Sequence, residues 1–236
     1  MKTARQARAA RPTRQVHRAA AGGGGGSAPA TIATGDVVFD NNSGTVTSYT
    51  APATVNAGDV LVLFQSTIGA TGALAIDSGY EYGAGWTQIY ESGDIASQSA
   101  WRAAIWTKTA LGTETGSLLI NMNGGSFEVG MLIRLDGAGV CTQATGTHPS
   151  NLVSATSVDI TPTNEGRVLS MAYQYNSSTA WVASTDVVAE TTANNSSNIV
   201  CDEGVQPAGT PFTTGTFSNS VSRAQCGVFA VLVESA

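Results

Sequence analysis

From Val46 to Leu135 short apolar or alternating runs recur, each closed by turn-forming residues, and helical periodicity does not appear. The runs are Val46–Tyr49, Asp59–Gln65 (DVLVLFQ), Trp86–Glu91 (WTQIYE), Trp101–Ala110 (WRAAIWTKTA), Ser117–Met122 and Phe127–Leu135 (FEVGMLIRL). Between them lie Asn56-Ala57-Gly58, Gly83-Ala84-Gly85, Gly112-Thr113 and Asn123-Gly124-Gly125, residues that supply turns and interrupt strands. A chain written this way is restricted to an all-β sandwich or barrel.

The same order of runs returns in the second half. Thr163–Met171 parallels Val55–Leu63, and Val158–Ile160 stands where Val46–Tyr49 stood. Trp181 with Asp186–Thr191 replaces the Trp86 run, Asn198–Gln206 the Trp101 run, and Phe212–Phe217 the Ser117 run. The closing runs match best, Val129-Gly130-Met131-Leu132-Ile133-Arg134-Leu135 against Cys226-Gly227-Val228-Phe229-Ala230-Val231-Leu232. A period of about 105 residues with shared order indicates duplication. The expected fold is a jelly-roll-like β-sandwich of about twelve strands, its two repeated halves at 27–140 and 141–236 sharing one core with pseudo-twofold symmetry. Two small sandwiches side by side are the alternative. The segment Asp136–Ala155 is polar and turn-rich and reads as a connector.

Charge divides the chain differently. Six of its eleven basic residues, Lys2, Arg5, Arg8, Arg11, Arg14 and Arg18, precede Ser27, and none of its seventeen acids does. The remainder, with five basic and seventeen acidic residues, carries −12. Residues 1–26 therefore read as an extended basic arm. Gly22, Gly23, Gly24, Gly25 and Gly26 form its hinge, spanning roughly ten to fifteen ångströms as a flexible coil. Arginine forks suit carboxylates or phosphates. The arm has no aromatic residue to stack on bases, and a −12 body repels a phosphate backbone, so an acidic protein surface is favoured over nucleic acid. No run approaches the roughly 18 apolar residues of a membrane-spanning helix, and the N-terminus lacks the hydrophobic stretch of a secretory signal.

Chemistry-bearing residues are sparse. Cys141 lies in the connector, while Cys201 and Cys226 sit in strand-like runs as a disulfide or as two buried thiols. His17 and His148 are the only histidines, which leaves no zinc constellation, no nucleophile triad and no expected cofactor. Asp77, Glu81, Glu91 and Asp94 flank the Trp86 run as a glycosidase pair would, and Asp36, Asp40, Asn41 and Asn42 could offer oxygens to calcium. Solvated loop acids are the favoured reading of both groups. Trp86, Trp106 and Trp181 fall at core positions. Tyr80 and Tyr82 would share one face of an extended segment and offer a platform to a sugar ring.

The succession Pro52-Ala53-Thr54-Val55-Asn56-Ala57-Gly58-Asp59-Val60-Leu61-Val62, Gly85-Trp86-Thr87, Trp106-Thr107-Lys108 and Leu118-Leu119-Ile120 resembles a β-sandwich repeat of bacteriophage virion proteins and some bacterial surface proteins. There a GD-x-L-V strand is followed by a GWT strand and a Lys-bearing strand. The resemblance covers residues 31–236 and is clearer in the first half, because the second lacks GWT and the Lys. It implies a non-enzymatic virion component of capsid decoration or head-fibre type. An Arg-rich arm followed by glycines also resembles the anchoring arms of capsid decoration proteins. That implies docking on the major capsid protein or another virion protein at the outer surface of the particle, as a homo-oligomer, with a trimer expected. A carbohydrate-binding head-fibre or tail module and a secreted glycoside-active enzyme are the alternatives.

Overall fold

The computed structural model describes residues 37–40, 46–70, 72–79, 81–92, 101–121, 125, 127–148, 157–175, 179–192, 196–221 and 226–235. All their regular structure is strand. The first half contains β1 (Val37–Asp40), β2 (Val46–Thr50), β3 (Ala57–Ile68), β4 (Ala75–Ile76), β5 (Thr87–Glu91), β6 (Trp101–Leu111), β7 (Ser117–Asn121) and β8 (Phe127–Leu135). The second contains β9 (Val140–Thr147), β10 (Asp159–Ile160), β11 (Gly166–Tyr175), β12 (Val182–Ala183), β13 (Asp186–Thr191), β14 (Ser196–Gln206), β15 (Phe212–Thr213), β16 (Phe217–Ser218) and β17 (Cys226–Glu234).

Two five-stranded antiparallel sheets dominate, ordered β1-β8-β3-β6-β5 and β9-β17-β11-β14-β13. Their order along the chain corresponds strand for strand. Three smaller sheets, β2-β7-β4, β10-β15 and β12-β16, complete the fold.

The central strands are buried on both faces, so they read as continuous apolar runs rather than as alternation. A sheet of that kind needs a cover on each side. Val62 and Phe64 of β3, Met131 of β8, Tyr173 of β11 and Phe229 of β17 meet in a central core between the two large sheets. The opposite face of the first large sheet, with Leu61, Leu63, Trp106 and Leu132, is covered by Tyr49, Leu118 and Ile120 of β2 and β7. The opposite face of the second, with Ala172, Ile199, Val228 and Leu232, is covered by Ile160, Trp181 and Phe217. The result is four layers and three cores. The expected all-β sandwich with a core shared by the two halves is present in the two large sheets, and the small sheets add an outer layer to each.

The sequence match between the closing strands does not survive at the level of faces. Val129, Met131, Ile133 and Leu135 point into the central core, whereas their matched partners Cys226, Val228, Ala230 and Leu232 point into the outer core of the second half. Met131 and Phe229 occupy corresponding central positions instead, one residue out of the sequence alignment. Because strand side chains alternate, a shift of one residue exchanges the two faces. The matched glycines illustrate this. A Cβ at Gly130 would strike the Tyr49 hydroxyl of the outer layer, and one at Gly227 would meet Tyr173 at 2.7 Å and Phe229 at 2.8 Å in the central core. Both are glycine because a ring lies over them, on opposite sides.

The segment expected as a connector contains β9, the edge strand of the second large sheet, paired with β17 from Val228↔Thr147 to Glu234↔Val140. Its composition, VCTQATGT, conceals it: only Cys141 and Ala144 reach the central core.

The central core is organised by rings contributed from both halves. Phe64 lies 4.8 Å from Phe229 and 5.4 Å from Tyr173, and Trp101 stacks on Tyr173 at 5.3 Å. Removing the Phe229 ring leaves a cavity where both halves meet, so Phe229→Ala is expected to lower unfolding free energy by about 3–5 kcal/mol. Gly130→Ala is expected to cost at least about 1–3 kcal/mol through overpacking against Tyr49. Urea denaturation checks both. A Gly130→Ala midpoint equal to that of the parent chain would refute the packing described around Tyr49.

Candidate functional site: interior ion pairs, a seam histidine and the Trp86 cleft

The residues expected to bind a partner, Lys2, Arg5, Arg8, Arg11, Arg14 and Arg18, and the hinge Gly22 to Gly26, lie outside the described residues. So do Tyr80, Asp94, His17, Asp36, Asn41 and Asn42. Tyr82 is described, and it is no surface platform. It is 4% exposed in the outer core of the first half, and its hydroxyl donates to the Tyr49 carbonyl at 2.8 Å. Burial pushes its pKa up, with help from the nearby charges of Glu81 and Glu114. Tyr82 faces inward because its ring completes the cover over Leu61 and Leu63, a demand the local sequence does not display.

The disulfide is absent as well. Cys201 and Cys226 are buried and not joined to each other. Cys201 on β14 pairs with Ser170 of β11, whereas Cys226 on β17 pairs with Gln174 of β11. A whole strand and four residues of register separate them, beyond the reach of an S–S bond. Cys141 is also a buried free thiol, and burial pushes it up to about 12.

The carboxylates flanking the Trp86 run do separate jobs. Asp77 accepts the Gly79 N–H at 3.0 Å, Glu81 accepts the Ser117 N–H, and Glu91 accepts from Gln88 and Arg102. Among the described residues no group of three or more His, Cys, Asp or Glu could hold a metal ion.

The basic residues of the body are fully engaged among those described. Arg134 of β8 reaches Asp59 of β3 at 2.7 Å and Asp136 at 3.4 Å. Lys108 of β6 meets Glu114 at 3.1 Å, Arg167 of β11 meets Asp202 of β14, and Arg102 meets Glu91 at 3.4 Å. Two of these pairs are interior braces. Asp59 also accepts the N–H groups of Asn56 and Gly137, tying the start of β3 to the end of β8. Glu114 accepts the N–H groups of Leu111, Gly112 and Thr113, closing the turn after β6. Burial alone would raise both carboxyls. The Arg134 fork and backbone donors around Asp59, and the backbone donors and Lys108 ammonium around Glu114, outweigh it and hold both below their ordinary values. The Asp of the GD strand and the Lys of the third strand are therefore structural.

His148, immediately after β9, sits where the halves meet. Its Nε2 lies 3.4 Å from the Tyr90 hydroxyl of β5 and its Nδ1 3.3 Å from the Tyr173 hydroxyl of β11, with the Phe229 ring 5.0 Å away. Burial drives its pKa down to about 4, against a smaller opposing effect of the Cys226 backbone. The sequence offered no hint of this, since each of the three groups comes from a different run.

One surface feature combines rings with polar groups. Leu74, Ile76, Ser78, Gly83, Gly85, Trp86, Gln88 and Trp106 line a cleft of about 300 Å³ on the first half. Trp86 stands half-buried at its side, its indole Nε1 donating to the Tyr82 carbonyl at 3.1 Å. Trp106 is 4% exposed and belongs to the core below.

The seam histidine generates a pH prediction. The unfolded chain binds the imidazole proton near pH 6.5, the folded chain only near 4. Stability is therefore complete above pH 6.5 and falls as pH drops toward 4, by on the order of 3 kcal/mol. Asp59 and Glu114 act in the same direction, but their contributions disappear only at lower pH. Urea midpoints measured between pH 7 and 4.5 should decline for the parent chain and stay nearly level for His148→Gln; parallel declines would exclude His148 as the cause. No protein-family model, no curated protein and no solved structure matches this chain.

Proposed function

We propose that this chain is a non-enzymatic structural protein of a bacteriophage particle. In this reading it is a capsid decoration protein whose basic arm docks on the major capsid protein or another virion protein. The observation that carries the reading is the distribution of usable positive charge. All four basic residues described in the body are committed to ion pairs. Many carboxylates, among them Asp77, Glu165 and Asp186, are exposed. The body thus presents an anionic exterior, and residues 1–26 hold six of the eleven cations of the chain. Contact with an acidic partner surface falls to the arm, while the glycines let the body take its own orientation.

The architecture suits a passive outer element. Four stacked layers with interior braces make a stiff body, and Asp59 and Lys108, from the motifs that carried the resemblance to virion repeats, serve as two of those braces. A homo-oligomer, with a trimer as the expected state, is part of the proposal. The platform formed by Tyr80 and Tyr82 no longer supports the glycan-binding alternative, because Tyr82 is interior.

Removing residues 1–26 tests the reading. The truncated body should keep its β-type circular dichroism and its urea midpoint, yet bind particles at least about a hundredfold more weakly. Several charge pairs at about 0.5–1 kcal/mol each reach that total. Binding of the full chain should also weaken as salt rises from low to physiological strength. Equal particle binding by the truncated and full-length chains would overturn the proposal.

A further inference from the structure

The cleft beside Trp86 has the composition of a ligand site. Its volume of about 300 Å³ lies at the small end of small-molecule sites, which span about 300–1,000 Å³. Three properties narrow the ligand. First, the Trp86 ring is held in place before any ligand arrives, by its N–H bond to the Tyr82 carbonyl and by the core beneath it. Gly83 and Gly85 add no side chains to the lining around it. Second, the lining mixes rings and aliphatic groups with hydrogen-bonding groups: the Ser78 hydroxyl and the Gln88 amide are both exposed. Third, the charge nearby is negative. Asp77 is exposed between the lining residues Ile76 and Ser78, and Glu91 accepts from Gln88 Nε2 at 3.1 Å.

A fixed aromatic face flanked by a hydroxyl and an amide matches a pyranose ring, which has an apolar C–H face and a rim of hydroxyls. The carboxylates of Asp77 and Glu91 disfavour an acidic sugar. We propose that this cleft binds one unit of a neutral hexopyranose. Its C–H face stacks on Trp86 and its hydroxyls meet Ser78 and Gln88. The site is built from residues 74–106 and is independent of the arm, so it would give a shell-bound body a second, sugar-directed contact.

The full-length protein is titrated with the methyl glycosides of glucose, galactose, mannose and N-acetylglucosamine, with sialic acid as the charged comparison. Tryptophan fluorescence and saturation-transfer NMR report binding. At least one neutral glycoside should bind, sialic acid should bind more weakly, and Trp86→Ala should lose affinity by about tenfold, the upper scale of one aromatic contact. Absence of saturation transfer from every neutral glycoside overturns the proposal, as does equal affinity for sialic acid or unchanged affinity in Trp86→Ala. Should Trp86→Ala fail to fold, Ser78→Ala and Gln88→Ala carry the test: a loss of about threefold or more supports the site, and parent-like binding refutes it. The chain lacking residues 1–26 should bind the sugar as the full chain does, which separates this result from the particle-binding one.

Discussion

The ring cluster joining the two large sheets is the contact on which the remaining layers depend. Phe64 and Trp101 come from one half, Tyr173 and Phe229 from the other, and neither set is covered without its counterpart. Apolar area removed from water at about 25 cal/mol per Å² makes such a seam the largest favourable contribution at the junction. Once the sheets stack there, their opposite faces are also apolar and must be covered. The small sheets β2-β7-β4, β10-β15 and β12-β16 do this. The four-layer form follows from strands that are hydrophobic on both sides.

Charge is used sparingly and internally. A buried ion pair seldom adds much net stability, because desolvation offsets attraction, but removing one partner strands the other. Asp59–Arg134 and Lys108–Glu114 are therefore best read as devices that fix geometry, the first at the root of β3 and β8, the second at the turn closing β6. A functional consequence accompanies the structural one. Committing the body's described cations to ion pairs leaves its exterior acidic, and under the proposed function recognition of acidic partners would fall to the arm. Sugar recognition at the Trp86 cleft would depend on hydroxyls and ring faces, which an acidic exterior does not oppose.

Much of the fold was legible because turn residues and apolar runs are local properties. The runs at Phe127–Leu135 and Asp186–Thr191 coincide with β8 and β13, and those at Trp101–Ala110 and Asn198–Gln206 match β6 and β14 to within two residues at an end. The strand β9 was not legible, since an edge strand facing water needs few apolar residues. Less of the candidate site could be read. Tyr80 and Tyr82 looked paired by alternation, but Tyr82 belongs to a turn whose ring is drawn inward by the core. Trp86, expected at a core position, packs against the outer core but stands half-buried at the cleft wall. The Cys201–Cys226 pairing failed on strand order, which no local pattern records.

What the chain's sequence determined alone is its class, the positions of its apolar strands and the separation of a basic arm from an acidic body, each set by neighbouring residues. Tertiary structure decided which face of each strand meets which layer, as the one-residue offset between Met131 and Phe229 shows. In runs such as VLVLF (60–64) and GVFAVLV (227–233) every position is apolar, so the period of two that would mark inside from outside is erased. Only packing against a second sheet assigns the faces, and with them the half-buried histidine at the seam, the separated thiols and the open side of Trp86.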